Sequence, residues 1–308
     1  MKFDRIDEPH YSWPLVEESS RQGDSLLGPH YQTLAKRNRR LSQANARLVD
    51  INRSLRRELE SAARIQRSLL PQRQADFEGV RFDWLFQPSS FAAGDTFNFF
   101  PLSEHELAFY VLDVAGHGLS AALTSIWLSR MLSPHVPNAR QVPVGAGHPF
   151  DIPLHDPVQT VSKLNQCFQS EGEWAPYFTL LYCVLDTRTR ELTMVQAGHP
   201  SPVLMRQGRA SLLGEGGFAI GLLPEAEFTP LKVQIEPGDR LFMYSDGIVE
   251  CRNQSEEPYS SERLVSLLEA ENDQPLEVAT QRLWTDLCRW HAEEEFEDDA
   301  SLLAVEIL

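Results

Sequence analysis

Cysteine is scarce, and its spacing carries no chemistry. Cys167, Cys183, Cys251 and Cys288 stand far apart with no C-x-x-C pair, so neither a zinc site nor a disulfide framework is indicated, and a reduced, cytoplasmic setting fits. Long apolar runs are also missing. The nearest, Val114 to Ser129, is broken by glycines and a histidine, short of the roughly 18 to 20 apolar residues that a membrane span needs. The N-terminus, Met-Lys-Phe-Asp-Arg-Ile-Asp-Glu, alternates charge and lacks the apolar core of a secretion signal.

Positive charge is missing from most of the chain. The net charge of −16 hides an asymmetry: residues 31–73 hold eleven basic and three acidic side chains, which leaves 17 of the 28 basic and 41 of the 44 acidic residues elsewhere. An acidic body of that kind is a poor nucleic-acid binder and a plausible cation binder.

What is present begins with residues 1–30, a mixture of Pro, Ser, Gly and charge without periodicity, expected to be flexible. From Tyr31 the pattern changes. Leu34, Leu41, Leu48 and Leu55 recur every seven residues, and Ala44, Ile51, Ala62, Ile65 and Leu69 extend the seam to Leu70-Pro71. This predicts a long linker helix over 31–71 that pairs with a second copy as a coiled coil, with packing along its own domain as the alternative. Arg37 and Glu58 interrupt the seam.

Residues 72–308 read as one globular domain. Strand-like runs cover Phe77–Gln87, Glu106–Leu112, Phe178–Asp186, Glu191–Gly198, Ser201–Arg206, Ala210–Leu213, Lys232–Ile235, Arg240–Tyr244 and Ser301–Leu308. Helical patterns follow at Leu119–Leu128, Val158–Phe168, Ser261–Leu268 and Pro275–Ala292. The Pro- and Gly-rich stretch from Pro134 to Pro157 reads as a surface loop; its His135, His148 and His155 lack the i, i+4 spacing of a helical metal site.

The chemistry lies at the joins. Asp113-Val114-Ala115-Gly116-His117-Gly118 puts a carboxylate where a buried strand meets a helix, and Ala92-Ala93-Gly94-Asp95 delivers a second acid through small residues. Ser245-Asp246-Gly247 ends another buried strand on an acid, and Asp298-Asp299 opens the last strand. Taken singly, Asp113 serves as well for a helix cap as for a metal ligand. Four carboxylates at strand ends suit hard divalent cations rather than zinc, hence Mn²⁺ or Mg²⁺.

FAAGD, DVAGHG, FTLLYCVLD, AGHPSPVLMR, GFAIGLLP, LFMYSDGIVE and EDDASLLAVEI, in this order and spacing, resemble the metal-dependent PPM-type serine/threonine protein phosphatases, in the bacterial SpoIIE/RsbU-like branch. The resemblance covers about Ala63 to Leu308. It implies an α+β fold, an α-β-β-α sandwich of two antiparallel sheets flanked by helices, preceded here by the long N-terminal helix. It also implies two or more metal ions, Mn²⁺ or Mg²⁺. Asp113 would bridge them with the Val114 carbonyl as a backbone ligand, Asp246 and Asp298 would hold the second ion, and Asp95 would complete the first site. Asp299 is the less favoured of the adjacent pair, and His117 and His199 would shape turns around the site. The implied substrate is a phosphoserine or phosphothreonine on a STAS-type anti-sigma-factor antagonist in a partner-switching pathway. Thirty residues ahead of the linker are too few for a sensor domain, so an activating partner or a dimer rearrangement at the helix would supply the signal. Departures from the family pattern are Ala93 for a glycine, Asn98 for a second aspartate and Ala115 for a serine. The alternative that these departures leave open is a weak or inactive pseudophosphatase acting as a dimeric scaffold.

Overall fold

The computed structural model describes residues 24–73, 75–77, 79–116, 118–134, 152–169, 176–292 and 296–308. His117, His135, His148 and Asp151 therefore lie outside the described residues, as does the N-terminal segment before Asp24. The chain divides into two compact units, 1–56 and 57–308.

In the first unit the described residues are helical. They belong to α1 (Asp24–Arg67), which starts seven residues ahead of the predicted linker. Leu34, Leu41, Leu48, Ile51 and Leu55 are all more than half exposed there. A seam of leucines held in water has no source of stability within its own helix, because a helix gains most of its stability by burying its apolar face.

The second unit alternates strand and helix around two sheets. In sequence order these are β1 (Ala75–Phe77), β2 (Val80–Gln87), β3 (Thr96–Pro101), β4 (Glu106–Val114), α2 (Leu119–Met131), α3 (Pro157–Cys167), β5 (Phe178–Asp186), β6 (Glu191–Ala197), β7 (Val203–Arg206) and β8 (Arg209–Leu212). β9 (Pro230–Gln234), β10 (Arg240–Tyr244), α4 (Asp246–Val249), α5 (Ser261–Ala270), α6 (Leu276–His291) and β11 (Ala300–Ile307) complete it. One sheet runs β1-β2-β11-β10-β7-β8 and the other β3-β4-β5-β6-β9, every pairing antiparallel.

Strand alternation explains the layering. In β4, Leu107, Phe109 and Val111 pack between the sheets with Phe82, Leu181, Met243 and Leu303. Ala108, Tyr110 and Leu112 point the other way and pack with Leu128 of α2 and Leu164 of α3. The outer face of the first sheet, through Phe242 and Leu302, packs with Leu264 of α5 and Leu283 of α6. A period-2 pattern that is apolar on both faces requires cover on both, and the result is the four-layered α-β-β-α sandwich of the implied fold. Where the sequence suggested one strand from Phe77 to Gln87, Gly79 turns with φ of 83° and makes β1 and β2 a hairpin.

Candidate active site

Register brings the four acids to one end of the two sheets. Thr96 pairs with Leu112, so Asp95, just before β3, lies beside Asp113 near the end of β4. Tyr244 pairs with Leu302, so Asp246, two residues beyond β10, lies near Asp298, two residues before β11. Each sheet thus contributes one pair of carboxylates. Asp246 opens the single-turn α4 rather than ending the strand itself.

The two pairs are joined by the acid that the sequence placed second. Asp299, 5% exposed, accepts hydrogen bonds from Gly94 N (2.7 Å), Ser89 N (2.7 Å) and Ser89 Oγ (2.9 Å). Its oxygens are spent on the segment that leads into β3, whereas Asp298 Oδ1 accepts from the neighbouring Asp299 N at 2.8 Å. Adjacent acids therefore differ in what they hold. Gly94 and Gly247 permit the close approach: a Cβ on Gly94 would stand 2.8 Å from the Val114 carbonyl, and one on Gly247 would strike the Asp299 carbonyl.

Beneath the acids is a polar layer that sequence reasoning missed. Ser245 and Ser301, both fully buried, share a 3.2 Å contact between their hydroxyls, and Ser245 Oγ also accepts from Ser301 N at 3.0 Å. Ser245 and Ser301 lie beside the Asp95 carboxyl and favour its charged form, against the larger effect of burial. Gln66, from the last turn of α1, is 2% exposed and pairs with Ala93. The sole sequence signal for these three was a polar residue at an otherwise apolar position.

Electrostatically the site is under-compensated. Burial pushes the Asp113 carboxyl up to about 7, with Asp246 and Asp298 adding repulsion. Burial, then Asp298 and Glu250, push Asp246 up to about 6. Asp95 is raised well above the carboxylate range, first by burial and then by Asp113. No basic side chain is among the causes acting on these three. Asp95 Oδ2 is buried and has no hydrogen-bond partner, a costly state for a carboxylate oxygen. Among the described residues no three His, Cys, Asp or Glu stand as a closed metal cage. The donor set nonetheless fits divalent cations, because all donors are oxygen, one is orphaned, and mutual repulsion is what a cation would relieve.

His199 is buried, and its Nδ1 lies 2.7 Å from Thr179 Oγ1, where Thr179 is the cross-strand partner of Asp113. Burial lowers its pKa to about 3, so it is neutral near pH 7. Its carbonyl accepts from Gln196 Nε2 at 2.6 Å, which holds the turn after β6. Asn98 sits within β3, where its Oδ1 accepts from Phe99 N at 2.9 Å. His155 pairs with Glu106 at 2.8 Å on an exposed surface.

Residues 103–308 match the family model described as Stage II sporulation protein E (SpoIIE). The chain is 27% identical over 258 residues to phosphoserine phosphatase RsbP of Bacillus subtilis, covering 82% of this chain and 58% of RsbP. It is 22% identical over 215 residues to phosphoserine phosphatase RsbU of the same organism, covering 69% of this chain and 59% of RsbU. The chain thus spans less than two thirds of the length of these curated relatives. Among solved structures, the SiaA-PP2C domain of Pseudomonas aeruginosa superimposes with a TM-score of 0.68 at 21% identity, covering 83% of this chain and 98% of that one. That likeness carries the fold.

Proposed function

Since the chain belongs to the SpoIIE family of PP2C-type phosphatase domains, whose members are metal-dependent, we propose that it hydrolyses phosphoserine or phosphothreonine on a protein. The reading assigns two or more Mn²⁺ or Mg²⁺ ions to Asp95, Asp113, the Val114 carbonyl, Asp246 and Asp298. Such ions, when bound, lower the pKa of water and neutralise the charge of a phosphoryl group.

The chain's own residues provide the frame. Asp113 stands between the Asp95 side and the Asp246/Asp298 side, where its charge is shared. Asp299 and Gln66 fix the segment that carries Asp95, and Ser245 and Ser301 beside its carboxyl favour the charged form. Neutral His199 supports the strand opposite Asp113 through Thr179 without adding charge. No side-chain nucleophile is needed for a direct attack of water on phosphorus.

The observation that carries this reading is the gathering of four carboxylates, two from each sheet, three of which, Asp95, Asp113 and Asp246, have proton affinities raised by burial and by their neighbouring acids. It is tested by Mn²⁺-dependent hydrolysis of para-nitrophenyl phosphate. Wild-type turnover that disappears in Asp113→Asn supports it, and undiminished turnover in that variant overturns it.

The substrate within this reading is a phosphorylated STAS-type anti-sigma-factor antagonist in a cytoplasmic partner-switching pathway. α1 pairs with its counterpart in a homodimer through Leu34, Leu41, Leu48 and Leu55, and receives an activating partner. No helix among the described residues is long and apolar enough to cross a membrane. A second reading, an inactive scaffold, draws on Asn98, Ala93 and the lack of a closed cage among the described residues. Cation binding measured by calorimetry without any hydrolysis would favour it.

A further inference from the structure

α2 is apolar on two faces. Its inner face buries Ala121, Ala122, Ser125 and Leu128. Its outer face leaves Leu119, Leu123 and Trp127 exposed by 46, 55 and 44%. A helix apolar all round is ordinarily covered all round.

The exposed face continues past the helix. Trp127 packs on the Phe168 ring at 5.1 Å. Gly221 lies against the Pro176 carbonyl, where a Cβ would stand 2.9 Å away, and against the Phe168 carbonyl and the Tyr177 Cα at 3.4 Å, and the antiparallel Phe178–Ile220 bridge runs the chain at Leu222 alongside the Tyr177 segment. Tyr177 and Leu222 are 46 and 52% exposed. The Tyr177 carbonyl accepts from Ala115 N at 3.0 Å, two residues from Asp113. The patch therefore starts at the loop carrying Asp113 and runs outward from it.

Charge identifies the occupant. α2 has one ionisable side chain, Arg130, in its last turn, while the chain outside residues 31–73 carries 41 acidic and 17 basic residues. A phosphoprotein brings further negative charge, and most of this surface repels it. A neutral apolar face bordering the carboxylate site offers contact without that repulsion, and exposed apolar patches of this kind mark interaction sites.

We propose that Leu119, Leu123, Trp127, Tyr177 and Leu222 form the docking surface for the substrate, a folded phosphoprotein with apolar side chains flanking its phosphoserine. The proposal rests on the phosphatase reading above. The surface raises the local concentration of the phosphoserine at the metal-binding acids and takes no part in the chemistry. Small aryl phosphates, which reach the acids without it, are indifferent to it.

The test compares two substrates on the full chain with Mn²⁺: para-nitrophenyl phosphate and a serine-phosphorylated STAS-domain protein. Leu123→Ser and Leu222→Ser are each expected to lower kcat/KM for the phosphoprotein about tenfold through KM, and the double variant further. Hydrolysis of the aryl phosphate should stay within about twofold of wild type, which also reports that the variants fold. Unchanged kcat/KM for the phosphoprotein overturns the proposal, and so does an equal loss on both substrates. Aryl phosphate turnover with none of the phosphoprotein by wild type overturns docking but leaves the metal-centred reading standing; no turnover of either substrate overturns both. If Leu123→Arg halves the mass in light scattering while phosphoprotein kinetics hold, the face belongs to a second copy instead. If deleting residues 135–151 raises phosphoprotein turnover and Leu123→Ser does not lower it, that segment is the occupant and the proposal falls.

Discussion

The side-chain amide of Gln66 pairs with both backbone groups of Ala93: Nε2 donates to the Ala93 carbonyl at 2.6 Å, and Oε1 accepts from Ala93 N at 2.9 Å. Nε2 also reaches Ser125 Oγ of α2 at 3.0 Å. The end of α1, the segment leading to Asp95 and the middle of α2 thus share one buried amide.

Gln66→Ala strips that amide away and leaves the buried Ala93 N–H unpaired, while the Ala93 carbonyl keeps the Ser125 hydroxyl at 3.2 Å, at a cost of about 1–3 kcal/mol. In a domain of this size this corresponds to a fall in Tm of about 2–10 °C. The larger consequence concerns Asp95, which is separated from Ala93 by Gly94 alone. The Mn²⁺ concentration for half-maximal aryl phosphate hydrolysis should rise severalfold in Gln66→Ala. Thermal unfolding and an Mn²⁺ titration check the two effects separately. A lowered Tm with an unchanged Mn²⁺ requirement would show that Gln66 only holds the fold together.

Asp113→Asn should have opposite effects on activity and on stability. Removing the carboxylate shared between the two acid pairs is expected to lower Mn²⁺-dependent turnover by at least about a thousandfold. In the metal-free protein the same change removes a buried charge repelled by Asp246 and Asp298, so Tm near pH 8 should rise. A variant that loses activity and also melts lower would indicate a structural role for Asp113.

The same repulsion sets a pH dependence. Asp113 and Asp246 hold their protons up to about 7 and about 6 in the folded chain, against the ordinary carboxylate value of 3.8. Between those values the folded form binds protons that the unfolded form has released, so stability is greatest at low pH and is lost as pH rises through 6 to 7. Metal-free Tm should therefore fall between about pH 4 and pH 7, and added Mn²⁺ should restore it at the upper end. Cation binding should release protons below about pH 7, seen as buffer-dependent heats in calorimetry. A flat metal-free profile would mean that the acids do not interact as described.

Much of this arrangement was legible in the sequence, for identifiable reasons. The four acids stand at joins between apolar runs, and short glycine-bearing joins between strand and helix are visible in one dimension. Two-faced apolar strands such as Glu106–Leu112 announced cover on both sides. What escaped was long-range pairing. Gln66 lies 27 residues from Ala93, and Ser245 lies 56 from Ser301, and no periodicity links residues across such distances. The Gly79 hairpin was hidden because β1 is only three residues long, too short for an alternating pattern to register before the turn. Asp246 opening α4 was hidden because a helix of four residues is too short for a 3.6-residue period to register.

The adjacent acids Asp298 and Asp299 give the sharpest separation of holding the site from serving it. Asp299 accepts two backbone N–H groups and the Ser89 hydroxyl and is 5% exposed. Replacing it by Ala unpairs the segments at Ser89 and Gly94, at about 1–3 kcal/mol for each buried donor that finds no water. Asp298 is more open and contributes repulsion to Asp113 and Asp246. Asp298→Asn should leave the metal-free Tm unchanged or higher, yet lower Mn²⁺-dependent turnover by about a hundredfold or more. Asp299→Ala should lower Tm by several degrees, with lost turnover partly recovered at low temperature and high Mn²⁺, where the fold is restored. Gly247→Ala tests the same frame from the other side, because its Cβ would strike the Asp299 carbonyl and must displace that strand start; it should behave like Asp299→Ala, with turnover and Tm falling together. If Asp298→Asn instead lost stability and Asp299→Ala lost turnover at unchanged Tm, the roles of the two acids would be exchanged and Asp299 would be the metal ligand.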